Sequence, residues 1–190
     1  MVRGEPIRML LSHAKVKFED KRISMEEWPS QKANMPNGQI PTLELKKCGT
    51  KLGQSNAILR MLGKEHGYYP EDIMKAYHCD QLIDAYLDII GKIYKPFFLP
   101  KDKRADSYPN IFGKLLPGFL DYVEETAGKA EFLCGDEITI ADFWIGGLYT
   151  NFIANPDVGF AKESWEAALD SYPNFKAYGE RFEKEMASYL

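Results

Sequence analysis

Gly38-Gln39-Ile40-Pro41-Thr42-Leu43 places a proline at the head of a short apolar run, and Gly53-Gln54-Ser55-Asn56-Ala57-Ile58 follows soon after. Proline has no N–H to give to a central ladder, so it pairs badly inside a sheet. A trans turn is the ordinary reading of such a site, because only about 5–6% of X–Pro bonds are cis. A cis Ile40–Pro41 bond would instead end the strand and leave the N–H and C=O of Ile40 facing outward. An extended peptide could then join as a further strand. Ser55 stands where a helix starts, with a hydroxyl, unpaired backbone N–H groups and the positive end of the helix dipole, which is a carboxylate site. Taken alone, it reads equally well as a plain N-capping serine. The two stretches together describe a small fold with a peptide slot beside an anion hole.

Short elements surround these stretches. Residues 40–45 and Lys51-Leu52 read as two strands about a Cys48-Gly49 turn. Residues 7–14 read as a helix with Pro6 in its first turn. Residues 16–23 alternate Val16 and Phe18 with charges, as a half-exposed strand would. Residues 25–35 are helical in composition, with Pro29 interrupting them. Ser55 opens an amphipathic helix carrying Ile58, Leu59, Met61 and Leu62, stopped by Gly63 and Gly67.

Past Tyr68-Tyr69-Pro70-Glu71 the pattern changes. Apolar residues keep helical spacing from 72 to about 98, and a second long helix covers 111–127 with a bend at Pro117-Gly118. A third helix begins at Thr139, and others cover 162–169 and 174–188. The fold class is therefore α/β over 1–67, joined by a linker at 68–71 to an all-α part over 72–190.

Composition narrows the function. A hydrophobic fraction of 45% is ample for a packed core, so global disorder is excluded. The net charge of −4 and the lack of a Lys/Arg stripe exclude nucleic acid as a partner. Cys48, Cys79 and Cys134 are far apart in sequence and form no CxxC pair, and the three His add no zinc spacing. Reduced thiols in a cytoplasmic protein with no metal are expected. No apolar run is long enough to span a membrane.

Five motifs then stand in order: Arg3-Gly4-Glu5-Pro6-Ile7-Arg8, Glu27-Trp28-Pro29 with Lys32, Gly38-Gln39-Ile40-Pro41, Gln54-Ser55, and Thr139-Ile140-Ala141-Asp142-Phe143. In this register the chain resembles a cytosolic glutathione transferase, most closely the sigma class, over its entire length. The resemblance implies a thioredoxin-like N-terminal domain, a C-terminal helical bundle and glutathione as co-substrate. It implies that Gln54 and Ser55 hold the γ-glutamyl amine and carboxylate, and that Ile40, ahead of cis-Pro41, exchanges backbone hydrogen bonds with the cysteinyl unit. Trp28 and Lys32 would take the glycyl end, with Gln39 on the same side. Asp88 would reach a neighbour's γ-glutamyl amine across a homodimer interface, and Arg3 would steady the site electrostatically. Thr139 and Asp142 would form the N-capping box of the buried helix, a folding role.

The second substrate would be a small hydrophobic electrophile or a lipid peroxide. It would sit in an apolar groove that Tyr86, Ile90, Tyr94 and Phe98 could line, with half of these serving the core instead. The resemblance also places the first strand of the sheet and a catalytic tyrosine ahead of Arg3, where this sequence has only Met1 and Val2. Two expectations follow: a genuine upstream segment that supplies both, or a shortened relative with a structural or interaction role and no catalysis.

Overall fold

In the computed structural model, which describes residues 3–155 and 162–190 apart from the side chain of Phe97, the chain divides into two compact units. One runs to Tyr69 and takes in Tyr189; the other covers Pro70–Ser188.

In the first unit, helix α1 (Glu5–His13) opens with Pro6 in its first turn, where the missing N–H costs nothing. Its buried face of Ile7, Met9, Leu10 and Leu11 meets Ile58, Leu59 and Leu62 of a later helix, Ser55–His66. That later helix ends on Gly67, whose φ of +82° suits only a residue without a Cβ; its N–H and that of Tyr68 both reach the Gly63 carbonyl. Strands β1 (Leu43–Leu45) and β2 (Thr50–Leu52) pair antiparallel with Glu44 opposite Lys51. Gly49 turns the hairpin at a φ of +68°.

Three expectations for this unit need correction. Residues 16–23 form no strand. A strand needs a ladder neighbour, and among the described residues the only sheet is β1 with β2. The segment is held by charge instead: Arg8 donates to Asp20 at 2.8 Å and to Glu5 at 2.9 Å, and Arg22 donates to Asp20 at 2.8 Å. Pro29 does not interrupt a helix over 25–35. It stands in the first turn of α2 (Trp28–Gln31), which runs on into a 3-10 turn, Lys32–Asn34. The strand expected over 40–45 begins only at Leu43, because Pro41 has no N–H to pair.

With Ser55–His66 numbered α3, the second unit opens on α4 (Ile73–Tyr94), capped by Asp72, whose carboxylate accepts the N–H groups of Met74 and Lys75 at 3.0 and 2.8 Å. It continues as a 3-10 turn, Lys95–Phe98. The helix expected over 111–127 is a composite. A short turn, α5 (Tyr108–Asn110), leads through a π-helical stretch, Ile111–Leu115, into α6 (Leu116–Ala127). The wide stretch immediately precedes Pro117, which can neither donate nor tolerate the carbonyl four residues back. The irregularity is therefore a widening of the helix before the proline.

Helix α7 (Ile140–Leu148) is buried along its whole length. Burying Phe143, Trp144, Ile145 and Leu148 contributes on the order of 6–12 kcal/mol before entropy is counted. Another π-helical stretch, Tyr149–Ile153, extends it. Next come α8 (Lys162–Leu169) and α9 (Pro173–Glu185), the last ending short of the expected 188. α7 and α9 interlock. A Cβ on Gly146 would stand 2.3 Å from the Phe182 ring, and one on Gly179 would stand 2.2 Å from Tyr149. Each glycine is the hole that receives the other helix's aromatic ring.

Asp142 fixes the entry to α7. Its side chain is fully buried and accepts from the Thr139 N–H (2.7 Å), the Thr139 hydroxyl (2.8 Å), the Leu133 N–H (3.0 Å) and the Tyr178 hydroxyl (3.1 Å). This is the capping box at Thr139, extended by a tether to the preceding turn and another to α9.

Candidate functional site

The Ile40–Pro41 peptide is cis. Ile40 is 49% exposed, and among the described residues neither its N–H nor its C=O has a hydrogen-bond partner. The start of α1 lies beside it, since a Cβ on Gly4 would be 3.5 Å from Pro41 Cβ. On the other side the amide of Gln54 donates to the side-chain carbonyl of Gln39 at 3.2 Å. The loop before Gln54 is pressed against the 3-10 turn Pro36–Gly38: a Cβ on Gly53 would meet Pro36 at 2.9 Å. Gln39, Ile40, Pro41 and Gln54 thus form one corner of the first unit.

α3 starts in that corner with Gln54 as its N-cap, so Ser55 is the first residue within the helix and not the cap itself. No side chain caps this end, which leaves the N–H groups of its first turn to an outside acceptor. Ser55 is 6% exposed, and the neighbouring Asn56 Oδ1 is a buried oxygen without a partner among the described residues. Gln54 has φ +68° and ψ 97°, a conformation costing about 1–3 kcal/mol in a residue with a Cβ. Unpaired donors, an orphaned acceptor and a strained backbone at one point suit a zwitterionic amino-acid group. An exposed peptide edge on Ile40 suits the chain that would follow it.

Lys32 and Trp28 share one face of α2 and its extension, and the Lys32 N–H bonds the Trp28 carbonyl. The Lys32 stem lies over Gly38, the residue before Gln39, with carbons 3.3 and 3.4 Å from where a Cβ would be. The Lys32 ammonium has no anionic partner among the described residues. Arg3 is exposed in the turn before α1. Asp88 lies in the second unit, exposed on α4, where it lines a shallow groove with Tyr77, Asp80, Gln81, Asp84 and Ala85. Of the four residues expected to line an apolar groove, Tyr86 and Ile90 are core residues, 2% and 1% exposed, while Phe98 is 86% exposed.

Two interactions in the first unit lie outside the motifs read from the sequence, and one of them has a local signal. The Ser24 N–H bonds the Glu27 carboxylate at 3.0 Å while the Glu27 N–H bonds the Ser24 hydroxyl at 3.1 Å. The Ser-x-x-Glu spacing of a capping box signals this in advance. It positions Trp28, and the bond from the Ser24 backbone holds the exposed Glu27 carboxyl below its ordinary pKa. The Tyr189 hydroxyl donates to Glu5 at 2.6 Å, a contact between chain ends that no local pattern announces.

A cis-proline corner with an open peptide edge and an uncapped helix start, followed by an all-helical unit, is the plan of the glutathione-transferase fold. Residues 1–64 match the profile of the glutathione S-transferase N-terminal domain, and residues 87–190 that of the glutathione S-transferase C-terminal domain. The chain belongs to the glutathione S-transferase family, a family of enzymes. A probable glutathione S-transferase 7 of Caenorhabditis elegans is 31% identical over 94% of this chain and 84% of its own length. Among solved structures, the monomeric glutathione S-transferase Na-GST-3 of the hookworm Necator americanus superposes with a TM-score of 0.84. It is 26% identical and covers 98% of this chain and 90% of that one. Prostaglandin synthase D of Nilaparvata lugens superposes with a TM-score of 0.81, also at 26% identity, covering 98% and 91%.

Proposed function

We propose that this chain is a cytoplasmic, sigma-class-like glutathione transferase that adds the glutathione thiol to small hydrophobic electrophiles or isomerises or reduces lipid peroxides. The observation carrying this is the pairing of the open Ile40 edge with the uncapped start of α3 in one corner of the first unit. The γ-glutamyl carboxylate binds the N–H groups and hydroxyl at Ser55, with Gln54 on the amine. The cysteinyl unit pairs with the backbone of Ile40, and the glycyl carboxylate meets Lys32, Trp28 and Gln39. The likeness to a prostaglandin synthase favours a lipid peroxide among the second substrates.

Catalysis requires the bound thiol to ionise near neutral pH. Lowering a pKa of about 8.5 by two units takes roughly 2.7 kcal/mol of preference for the thiolate. The start of α1 has no side-chain cap and contributes about 0.3–1 kcal/mol, up to about 2 if partly buried. Arg3, in the turn before α1, adds a positive charge at that end.

Incubation with glutathione and a chromogenic aryl halide tests this, and thioether product above the uncatalysed rate is expected. Bound glutathione with no product would favour the structural reading without catalysis. Asp88 serves the neighbouring subunit of a two-fold dimer in this account. A monomer in sedimentation at micromolar concentration would remove that role.

A further inference from the structure

We propose that Arg8 and Tyr189 are positioning residues that hold the Glu5 carboxylate off the start of α1 and so leave that helix end to the glutathione sulfur, an inference that rests on the glutathione reading of the corner. Glu5 is the first residue of α1, with Gly4 as its cap and no capping side chain. A carboxylate in the first turn of a helix is drawn to the positive helix end and its unpaired N–H groups. Left free, Glu5 would put its own charge where a thiolate has to be stabilised. The side chain is held otherwise. Its Oε2 accepts from Arg8 Nη1 at 2.9 Å, and its Oε1 accepts from the Tyr189 hydroxyl at 2.6 Å. The Arg8 and Glu5 side chains are only 18% and 15% exposed, so water screens this pair less than one on the open surface.

Arg8 is itself anchored. Its Nε donates to Asp20 Oδ1 at 2.8 Å, and Arg22 donates to Asp20 Oδ2 at 2.8 Å. Arg22, Asp20, Arg8, Glu5 and Tyr189 thus form one line of hydrogen bonds, with charges alternating in sign and a neutral hydroxyl at the end. The line reaches the corner through Gly4. A Cβ on Gly4 would stand 3.3 Å from Arg8 Nη1 and 3.5 Å from Pro41 Cβ. The Glu5–Arg8 pair therefore sits at the cap of α1, next to the proline that follows the open Ile40 edge. A cysteinyl unit paired with that edge brings its sulfur to the same cap. Tyr189 groups with the first unit, and burial together with the bond to Glu5 pushes its phenol up, so it stays a donor at neutral pH.

Calorimetry on the full chain with two probes separates charge from fit. Glutathione sulfonate carries a permanent anion at the sulfur position, and S-methylglutathione is neutral there; the readout is the ratio of their affinities. Tyr189→Phe changes no charge, yet by releasing one side of Glu5 it should lower the preference for the sulfonate roughly two- to fivefold. In Glu5→Gln no carboxylate remains to be held, and adding Tyr189→Phe there should leave the ratio unchanged. Arg8→Gln should lower the preference further, and Arg8→Gln combined with Glu5→Gln should recover it. A network that served the fold alone would move both affinities together and leave the ratio fixed. An unchanged ratio in Tyr189→Phe, or the same change with and without Glu5, would overturn the proposal while the glutathione reading stands. Failure of the native chain to bind either probe would overturn both. If Arg8→Gln does not fold, the cycle between Tyr189 and Glu5 decides the matter without it.

Discussion

Replacing Asp142 by alanine should be among the most damaging single changes available to the helical unit. The carboxylate receives four hydrogen bonds from Leu133, Thr139 and Tyr178, at 2.7 to 3.1 Å. The hydroxyls of Thr139 and Tyr178 can turn toward other acceptors, but the N–H groups of Leu133 and Thr139 are fixed by the backbone. Each buried donor left without a partner costs about 1–3 kcal/mol. With the lost cap, the expected destabilisation is about 3–5 kcal/mol, or roughly 10 °C in melting temperature for a chain of this size. Urea unfolding followed by tryptophan fluorescence measures it. A loss under about 1 kcal/mol would mean that the network is not what fixes the start of α7. Tyr178→Phe removes one donor and should cost about 1 kcal/mol, with the double variant less than additive because the two residues share a bond.

The same carboxyl gives a pH signature of known sign. Burial is the largest influence and raises its pKa above the ordinary aspartate value, against the opposing pull of the hydrogen bonds from Leu133, Thr139 and Tyr178. The folded protein therefore keeps a proton that the unfolded chain releases near pH 3.9. Between the unfolded and folded values, stability falls as pH rises. Asp142→Asn should abolish that slope, which appears in the difference between the two stability curves. A difference independent of pH would contradict the assignment.

Two further substitutions probe packing and the site. Gly146→Ala forces a methyl to 2.3 Å from Phe182, a side chain with no exposed surface, and should cost about 3 kcal/mol or more in denaturant unfolding; a near-neutral effect would show that α7 and α9 can slide apart freely. Gln54→Gly relieves a φ of +68° and should leave stability unchanged or raise it by up to about 1 kcal/mol while weakening glutathione binding. A large loss of stability, or unaltered binding, would separate the strained backbone from the site.

The division into an α/β part and an all-helical part was legible because the hydrophobic period changes near residue 70, and period is a local property. The corner was legible as two short stretches, since a proline heading an apolar run and a serine opening a helix each carry their own chemistry. Residues 16–23 misled for the converse reason. Their alternation satisfies a strand pattern, but a strand exists only with a neighbour, and the neighbour is not a property of the segment. Pro29 misled because the same residue opens a helix or breaks one according to where the helix starts, and the Ser24–Glu27 box sets that start. The Gly146–Phe182 socket is a tertiary fact with no sequence spacing to reveal it.

The central claim is that the start of α3 is an anion site for the γ-glutamyl carboxylate. Calorimetric titration of glutathione into the native protein and into Ser55→Ala tests it most directly. The account predicts a loss of about 1–3 kcal/mol in binding free energy, the worth of a charge-assisted hydrogen bond, with the fold intact by circular dichroism. Equal affinity in the two proteins, or no detectable binding to the native one, would contradict it.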